Sequence, residues 1–106
     1  MTFLAIDAQK NLFTLQKSQL QFEQTLVMSR ANYITKQMSQ CAEAAGDQDL
    51  DNNPTYIALQ QEESYLETRK DSLDSQITLI ENEISSLKNL VTNNIKSSCT
   101  LNLIGS

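Results

Sequence analysis

The 106-residue sequence has no His and no Trp, one Pro, two Gly and two Cys. His is the most common general acid/base and the most common transition-metal ligand, so its absence removes the usual centre of both kinds of site. Two Cys cannot form a four-ligand zinc site alone, and two Gly do not make a phosphate-binding loop. The sequence therefore predicts a protein that is not an enzyme, with no catalytic residue, cofactor or metal site.

The charge and hydropathy exclude further classes of partner. There are 8 Lys+Arg against 13 Asp+Glu, for a net charge of −5, and neither nucleic acid nor an anionic membrane attracts an acidic protein. No apolar run approaches the ~18 residues of a membrane span. The first residues also lack the basic and apolar regions of a cleavable signal peptide. We expect a cytoplasmic protein, or one exported by a route that needs no cleaved signal.

The few helix breakers cluster at one place in the middle of the chain. Gly46 is suited to the residue that follows a helix, where a left-handed conformation costs Gly little. Asn53 is a good N-cap, and Pro54 then occupies the first position of the next helix. The sequence predicts a single domain with helix 1 at about 3–45, a turn at about 46–53, helix 2 at about 54–97 and an apolar tail at 98–106.

Apolar residues recur every seven positions in both halves of the chain, which is typical of long helices that pack side by side. The first row is Ile6, Phe13, Leu20, Val27, Ile34 and Cys41. The second half has Leu59 and Leu66 and then a seam with alternating steps of four and three: Leu73, Ile77, Ile80, Ile84, Leu87 and Val91. The predicted fold class is all-α, with two long antiparallel helices in a coiled-coil-like hairpin.

Further apolar residues flank the first row: Leu12, Leu26 and Tyr33 are assigned to one side, and Leu15 and Phe22 to the other. The resulting face is wider than one neighbouring helix would cover, and a two-helix hairpin cannot enclose a core on all sides. Antiparallel pairing of residues whose numbers sum to about 98 places Arg30 near Glu67, and Lys36 near Glu62 and Glu63. We expect oligomerisation to complete the packing.

Two functions remain open. The first is a structural subunit that self-assembles through the heptad-spaced apolar faces, with a helical filament or tube as one form. The second is a small helical binding module, such as a secretion chaperone or adaptor, that docks a partner helix. The partner is a second copy in the first case and another helical protein in the second.

The acidic residues of the turn and the two cysteines are candidates for a metal site or a disulfide. Asp47, Asp49 and Asp51 alternate like the start of a calcium-binding EF-hand loop, but the position of the bidentate acid holds Ala58. Cys41 lies in the apolar row and Cys99 in the tail, at opposite ends of an antiparallel hairpin, so we expect no disulfide between them.

The segment Asn53-Pro54-Thr55-Tyr56-Ile57-Ala58, with the later Leu90-Val91-Thr92-Asn93-Asn94-Ile95-Lys96, resembles the turn and the C-terminal helix of needle subunits of bacterial type III secretion systems. The chain also looks similar to uncharacterised small bacterial helical-hairpin proteins. The resemblance to needle subunits implies hairpins that stack into a hollow filament and are exported without a cleaved signal. This sequence departs from that family in its length, in the missing first Pro of the turn and in its regular heptad seam.

Overall fold

A computed structural model describes the backbone of residues 2–105 and the side chains of residues 2–93 and 95. The described chain consists of helix α1, Phe3–Ala45, a 3-10 turn, Leu50–Asn52, and helix α2, Pro54–Gly105, without a strand. This confirms the predicted helical hairpin. Helix α2 does not end near residue 97, as the sequence suggested, but continues to Gly105. No Pro or Gly occurs between Pro54 and Gly105, so no helix breaker interrupts it earlier.

The connection between the helices is held by local hydrogen bonds. Gly46 has φ +60°, in the left-handed region that Gly adopts readily. Asp49 caps the 3-10 turn, because its Oδ1 accepts from the backbone N–H of Asp51 at 2.9 Å. The Oδ1 of Asn53 accepts from the N–H groups of Thr55 and Tyr56 at 3.0 and 3.1 Å. These two bonds satisfy donors that the first turn of α2 would otherwise leave unpaired.

Contacts divide the chain into two compact units. Unit 1 comprises Met1–Leu20 and Gln76–Ser106, and unit 2 comprises Gln21–Ser75. Each unit therefore combines one segment of α1 with one segment of α2. The sequence predicts a single domain. The chain divides into two units because paired helices make contacts only between segments that lie side by side.

Each unit has a small apolar core built from the heptad rows. In unit 1 the buried residues are Ile6, Ile77 and Leu87, and in unit 2 they are Val27, Ile34, Leu66 and Leu73. Ile34 and Leu73 have no exposed surface. No polar side chain is buried among the described residues, so packing in both cores depends on apolar contacts.

Ion pairs connect the two helices in each unit. In unit 2, Arg30 Nε donates to Glu62 at 2.6 Å, and Arg69 Nε donates to Glu23 at 2.9 Å. The α1 numbers fall as the α2 numbers rise, which is the order of antiparallel helices. Arg30 thus contacts Glu62 and not Glu67, whereas Gln24 Nε2 donates to Asp74, a pair whose numbers do sum to the expected 98. In unit 1, Lys17 Nζ lies 3.5 Å from Glu81.

Candidate self-association surface

Among the described side chains, large apolar residues are exposed mainly on α1. On the described part of α2 they are Tyr65, Leu79, Leu90 and Ile95. On α1 they are Phe3, Leu4, Leu12, Leu15, Phe22, Leu26, Met28 and Tyr33. Within the described part of the chain, α1 therefore carries more exposed large apolar residues than α2.

Three of these residues form a stripe on the α1 segment of unit 2. Phe22, Leu26 and Tyr33 are 65%, 53% and 49% exposed, and their spacing of four and seven places them on one face of a helix. Ser29, which is also exposed, lies between Leu26 and Tyr33. We refer to Phe22, Leu26, Ser29 and Tyr33 as the outer stripe. Its two aromatic residues are of the kind enriched in contact surfaces.

The outer stripe corrects the assignment of flanks made from the sequence. Phe22 and Leu26 were placed on opposite sides of the first heptad row. At 3.6 residues per turn, however, residues four apart lie within about 40° of one another. They belong to the same side of α1. In unit 1, Leu12 and Leu15 occupy the same two heptad positions as Leu26 and Phe22, and both are exposed. These residues do not widen the buried row; they form a second apolar pattern.

An ion pair restrains the aromatic residue at the end of the outer stripe. The guanidinium of Arg30 lies 5.0 Å from the ring centroid of Tyr33, within the range of a cation–π interaction. The same side chain donates to Glu62 on α2. This hydrogen bond raises the pKa of Arg30, and an Arg guanidinium is in any case always charged in proteins. A restrained Tyr loses less conformational freedom on binding than a free one.

The two long borders of the outer stripe carry little free charge, whereas the exposed Lys36 follows Tyr33 on the same face of α1. On one border lie Thr25 and Asn32, which are exposed and uncharged. On the other border lie Glu23 and Arg30, which are bonded to Arg69 and Glu62 of α2. Although the chain carries a net charge of −5, a second molecule that approaches this face meets no unpaired acid among these border residues.

Two hollows lie elsewhere in unit 2. One has a volume of about 220 Å³ and is lined by Val27, Met28, Ala31 and Leu66, with Glu63, Glu67 and Lys70 also lining it. The other, of about 440 Å³, lies near the turn and includes Cys41 and Leu59 together with amide side chains such as Gln37 and Gln48. The first is a mainly apolar groove between the helices, and the second is more polar.

The residues predicted for packing and self-association all lie within the two units. Seven of them are the buried core residues, and the others are half-buried: Phe13, Leu20, Leu59, Ile80, Ile84 and Val91. The hairpin itself thus covers most of the heptad rows. The outer stripe, in contrast, stays exposed to a second molecule. In the sequence, the outer stripe can be identified as a second set of apolar residues at steps of four and seven.

The described residues contain no group of three or more His, Cys, Asp or Glu that could hold a metal ion. No helix, over the residues searched, is long and apolar enough to cross a membrane. Cys41 is a free thiol, whereas the side chain of Cys99 lies outside the described residues. No family model, curated protein or solved structure matches the chain.

Proposed function

We propose that this protein is a non-enzymatic structural subunit that self-associates through the outer stripe of α1. The observation that carries the proposal is the exposure of Phe22, Leu26 and Tyr33 on one face, bordered by neutral or paired side chains. Exposed apolar residues that line up in this way mark interaction surfaces. The neutral borders favour a second copy as the partner, because contact through this face avoids the acidic residues of α2 and the turn.

The size of the outer stripe indicates how strong the association is. Covering the exposed half of a Leu, Phe or Tyr side chain contributes about 1 kcal/mol, so three residues on each of two copies contribute roughly 6 kcal/mol. Loss of translational and rotational freedom opposes binding by an amount of the same order. Pairing through these residues alone is therefore weak, and measurements must cover micromolar to near-millimolar protein.

A filament is the form of self-assembly that the resemblance to needle subunits suggests. A filament needs a second contact surface, since each copy must bind one neighbour on each side. The exposed Leu12 and Leu15 of unit 1 are available for such a contact. Filament formation is thus an extension of the proposal, and it predicts species whose mass grows with protein concentration.

The proposal is tested by replacing one residue of the outer stripe. Leu26→Gln retains a side chain of similar size but removes the apolar surface, and we expect it to shift the association to at least several-fold higher concentration. Sedimentation velocity over a concentration series measures this shift. Leu79→Gln is the matched control, because Leu79 is 64% exposed but lies on α2.

The Leu79→Gln control shows whether a loss of association is specific to the outer stripe or follows from a general loss of surface hydrophobicity. If both variants weaken association equally, the cause is general hydrophobicity and not the outer stripe. If the unchanged protein is monomeric throughout the series, self-association is wrong. Circular dichroism of both variants should match the unchanged protein, because neither leucine is part of the core.

The second candidate function, a helical binding module, is favoured by the groove of about 220 Å³ lined by Val27, Met28, Ala31 and Leu66. This volume suits one or two apolar side chains of a partner helix, and the nearby Glu63 and Glu67 would attract basic residues. A module of this kind stays monomeric when purified alone. Its partner binding would be insensitive to Leu26→Gln, so the same variant distinguishes the two functions.

A further inference from the structure

We infer that the outer stripe of one copy docks into the groove of about 220 Å³ in unit 2 of the next copy, with Lys36 of the first copy against Glu63 and Glu67 of the second. We refer to this groove, lined by apolar residues such as Val27 and Leu66 and by Glu63, Glu67 and Lys70, as the acidic groove. The inference rests on the proposed function, because it names the surface that the outer stripe binds. The contact joins two different surfaces and is therefore heterologous.

The outer stripe ends beside an uncompensated positive charge. Lys36 is exposed and follows Tyr33 by three residues, so the two side chains lie on one face of α1. Among the described side chains, Lys36 forms no ion pair. The acid on the border of the stripe is Glu23, which already binds Arg69. A second outer stripe therefore offers Lys36 no free carboxylate.

The acidic groove carries the opposite charge. On its α2 side are Glu63 and Glu67, one turn apart, together with Lys70, and all three are exposed. None of them forms an ion pair within the part of the chain that the structure describes. The lining residues on the α1 side are apolar, so two acids against one Lys leave the groove with a net negative charge. Complementary charge of this kind orients a partner and favours its approach.

The groove also complements the apolar part of the outer stripe. Met28 is exposed and lines the groove together with Ala31, whose small side chain leaves space between the helices. The groove suits one or two large side chains, such as those of Leu26 and Tyr33. Entry of these side chains covers apolar surface on both copies, whereas contact between two stripes leaves the groove uncovered.

One copy can use both surfaces at the same time. Met28 follows Leu26 by two residues, which places them about 160° apart around α1, and both belong to unit 2. The outer stripe and the acidic groove therefore face different sides of this helix segment. After each contact one stripe and one groove remain free, so assembly continues beyond two copies into a ring or a filament. It requires no surface of unit 1.

Charge reversal in the groove tests the partner surface. Glu63→Lys combined with Glu67→Lys changes exposed residues only, and circular dichroism should show unchanged helix content. We expect association, measured by sedimentation velocity, to shift to roughly three- to ten-fold higher concentration. Glu43→Lys combined with Asp47→Lys is the matched control, since both residues are exposed in unit 2 and the net charge changes equally. The control should associate as well as the unchanged protein or better, because its net charge is lower.

A third substitution tests the partner of Lys36. Lys36→Glu alone should weaken association, because it places a carboxylate against the acidic groove. Added to the Glu63→Lys and Glu67→Lys variant, it restores opposite charges across the contact, and association should return toward that of the unchanged protein. Absence of this rescue would overturn the placement of Lys36 against the groove.

A mixture of two variants distinguishes the heterologous contact from the pairing of two stripes. Leu26→Gln alters the stripe and leaves the groove intact, whereas the double Lys variant alters the groove and leaves the stripe intact. Each variant alone should associate weakly. Together they should form a one-to-one pair at the concentration where the unchanged protein associates, detected by sedimentation with one variant labelled. The pair should not grow, because the stripe and the groove that remain free are both altered.

Two results would overturn the inference. One is a groove variant that associates like the unchanged protein, and the other is a mixture that associates no better than its components. Both leave the proposed function intact, provided that Leu26→Gln still weakens association. An unchanged protein that is monomeric at every concentration refutes the proposed function as well.

Discussion

The contribution of the hairpin core can be measured with two leucines of the same helix. Leu73 has no exposed surface, whereas Leu79 is 64% exposed. Leu73→Ala removes three buried carbon groups at about 0.8 kcal/mol each, or about 2.4 kcal/mol of transfer free energy. The vacated space adds to the loss, and buried Leu→Ala changes span about 2–5 kcal/mol. Neighbouring side chains in a thin core relax readily, so we expect about 2–3 kcal/mol.

The assay is urea unfolding followed by circular dichroism at 222 nm. Both variants and the unchanged protein are compared at one fixed concentration, since association stabilises the folded state. Leu79→Ala is the matched control, and its effect should stay within about 0.5 kcal/mol, as is usual at exposed positions. Equal losses for the two variants, or no loss for Leu73→Ala, would refute the assignment of Leu73 to the core.

Two further predictions concern the turn. Gly46→Ala should lower the free energy of unfolding by about 1–2 kcal/mol, because an L-residue at φ +60° is strained; the same urea titration measures it. Gly46→Asn should lose less, since Asn tolerates this conformation, and equal losses would point to a cause other than backbone strain. Asn53→Ala removes the acceptor of two N–H groups of α2 and should cost about 1 kcal/mol. Asn53→Asp retains the acceptor and should stay close to the unchanged protein; a loss as large as that of the Ala variant would argue against the cap.

The helices and the break between them were predictable because they depend on local chemistry. Gly46, Asn53 and Pro54 each suit one backbone position, and the heptad spacing of residues such as Ile34 and Leu73 identifies the sides that are buried. The end of α2 was not predictable from composition. The sequence predicts an apolar tail at 98–106, yet no residue from 98 to 104 breaks a helix, and α2 continues to Gly105.

The candidate surface was only partly predictable. The sequence contains Phe22, Leu26 and Tyr33 at helical spacing, but spacing alone does not show which of two apolar patterns the second helix covers. The structure distinguishes them, because Val27 and Ile34 are buried while the outer stripe is exposed. The choice of ion-pair partner also depends on tertiary packing, which is why Arg30 contacts Glu62 and not Glu67, five residues further along α2.

The position of Arg30 connects α2 with the exposed face of α1 in unit 2. One guanidinium contacts both the carboxylate of Glu62 on α2 and the ring of Tyr33 on α1. If α2 moved away from α1, Arg30 would lose its partner and Tyr33 its restraint. A copy that binds a partner through Tyr33 therefore has this side chain already restrained when its own two helices are paired. The proposed association through the outer stripe would therefore select closed hairpins and work against the exchange of α2 helices between copies.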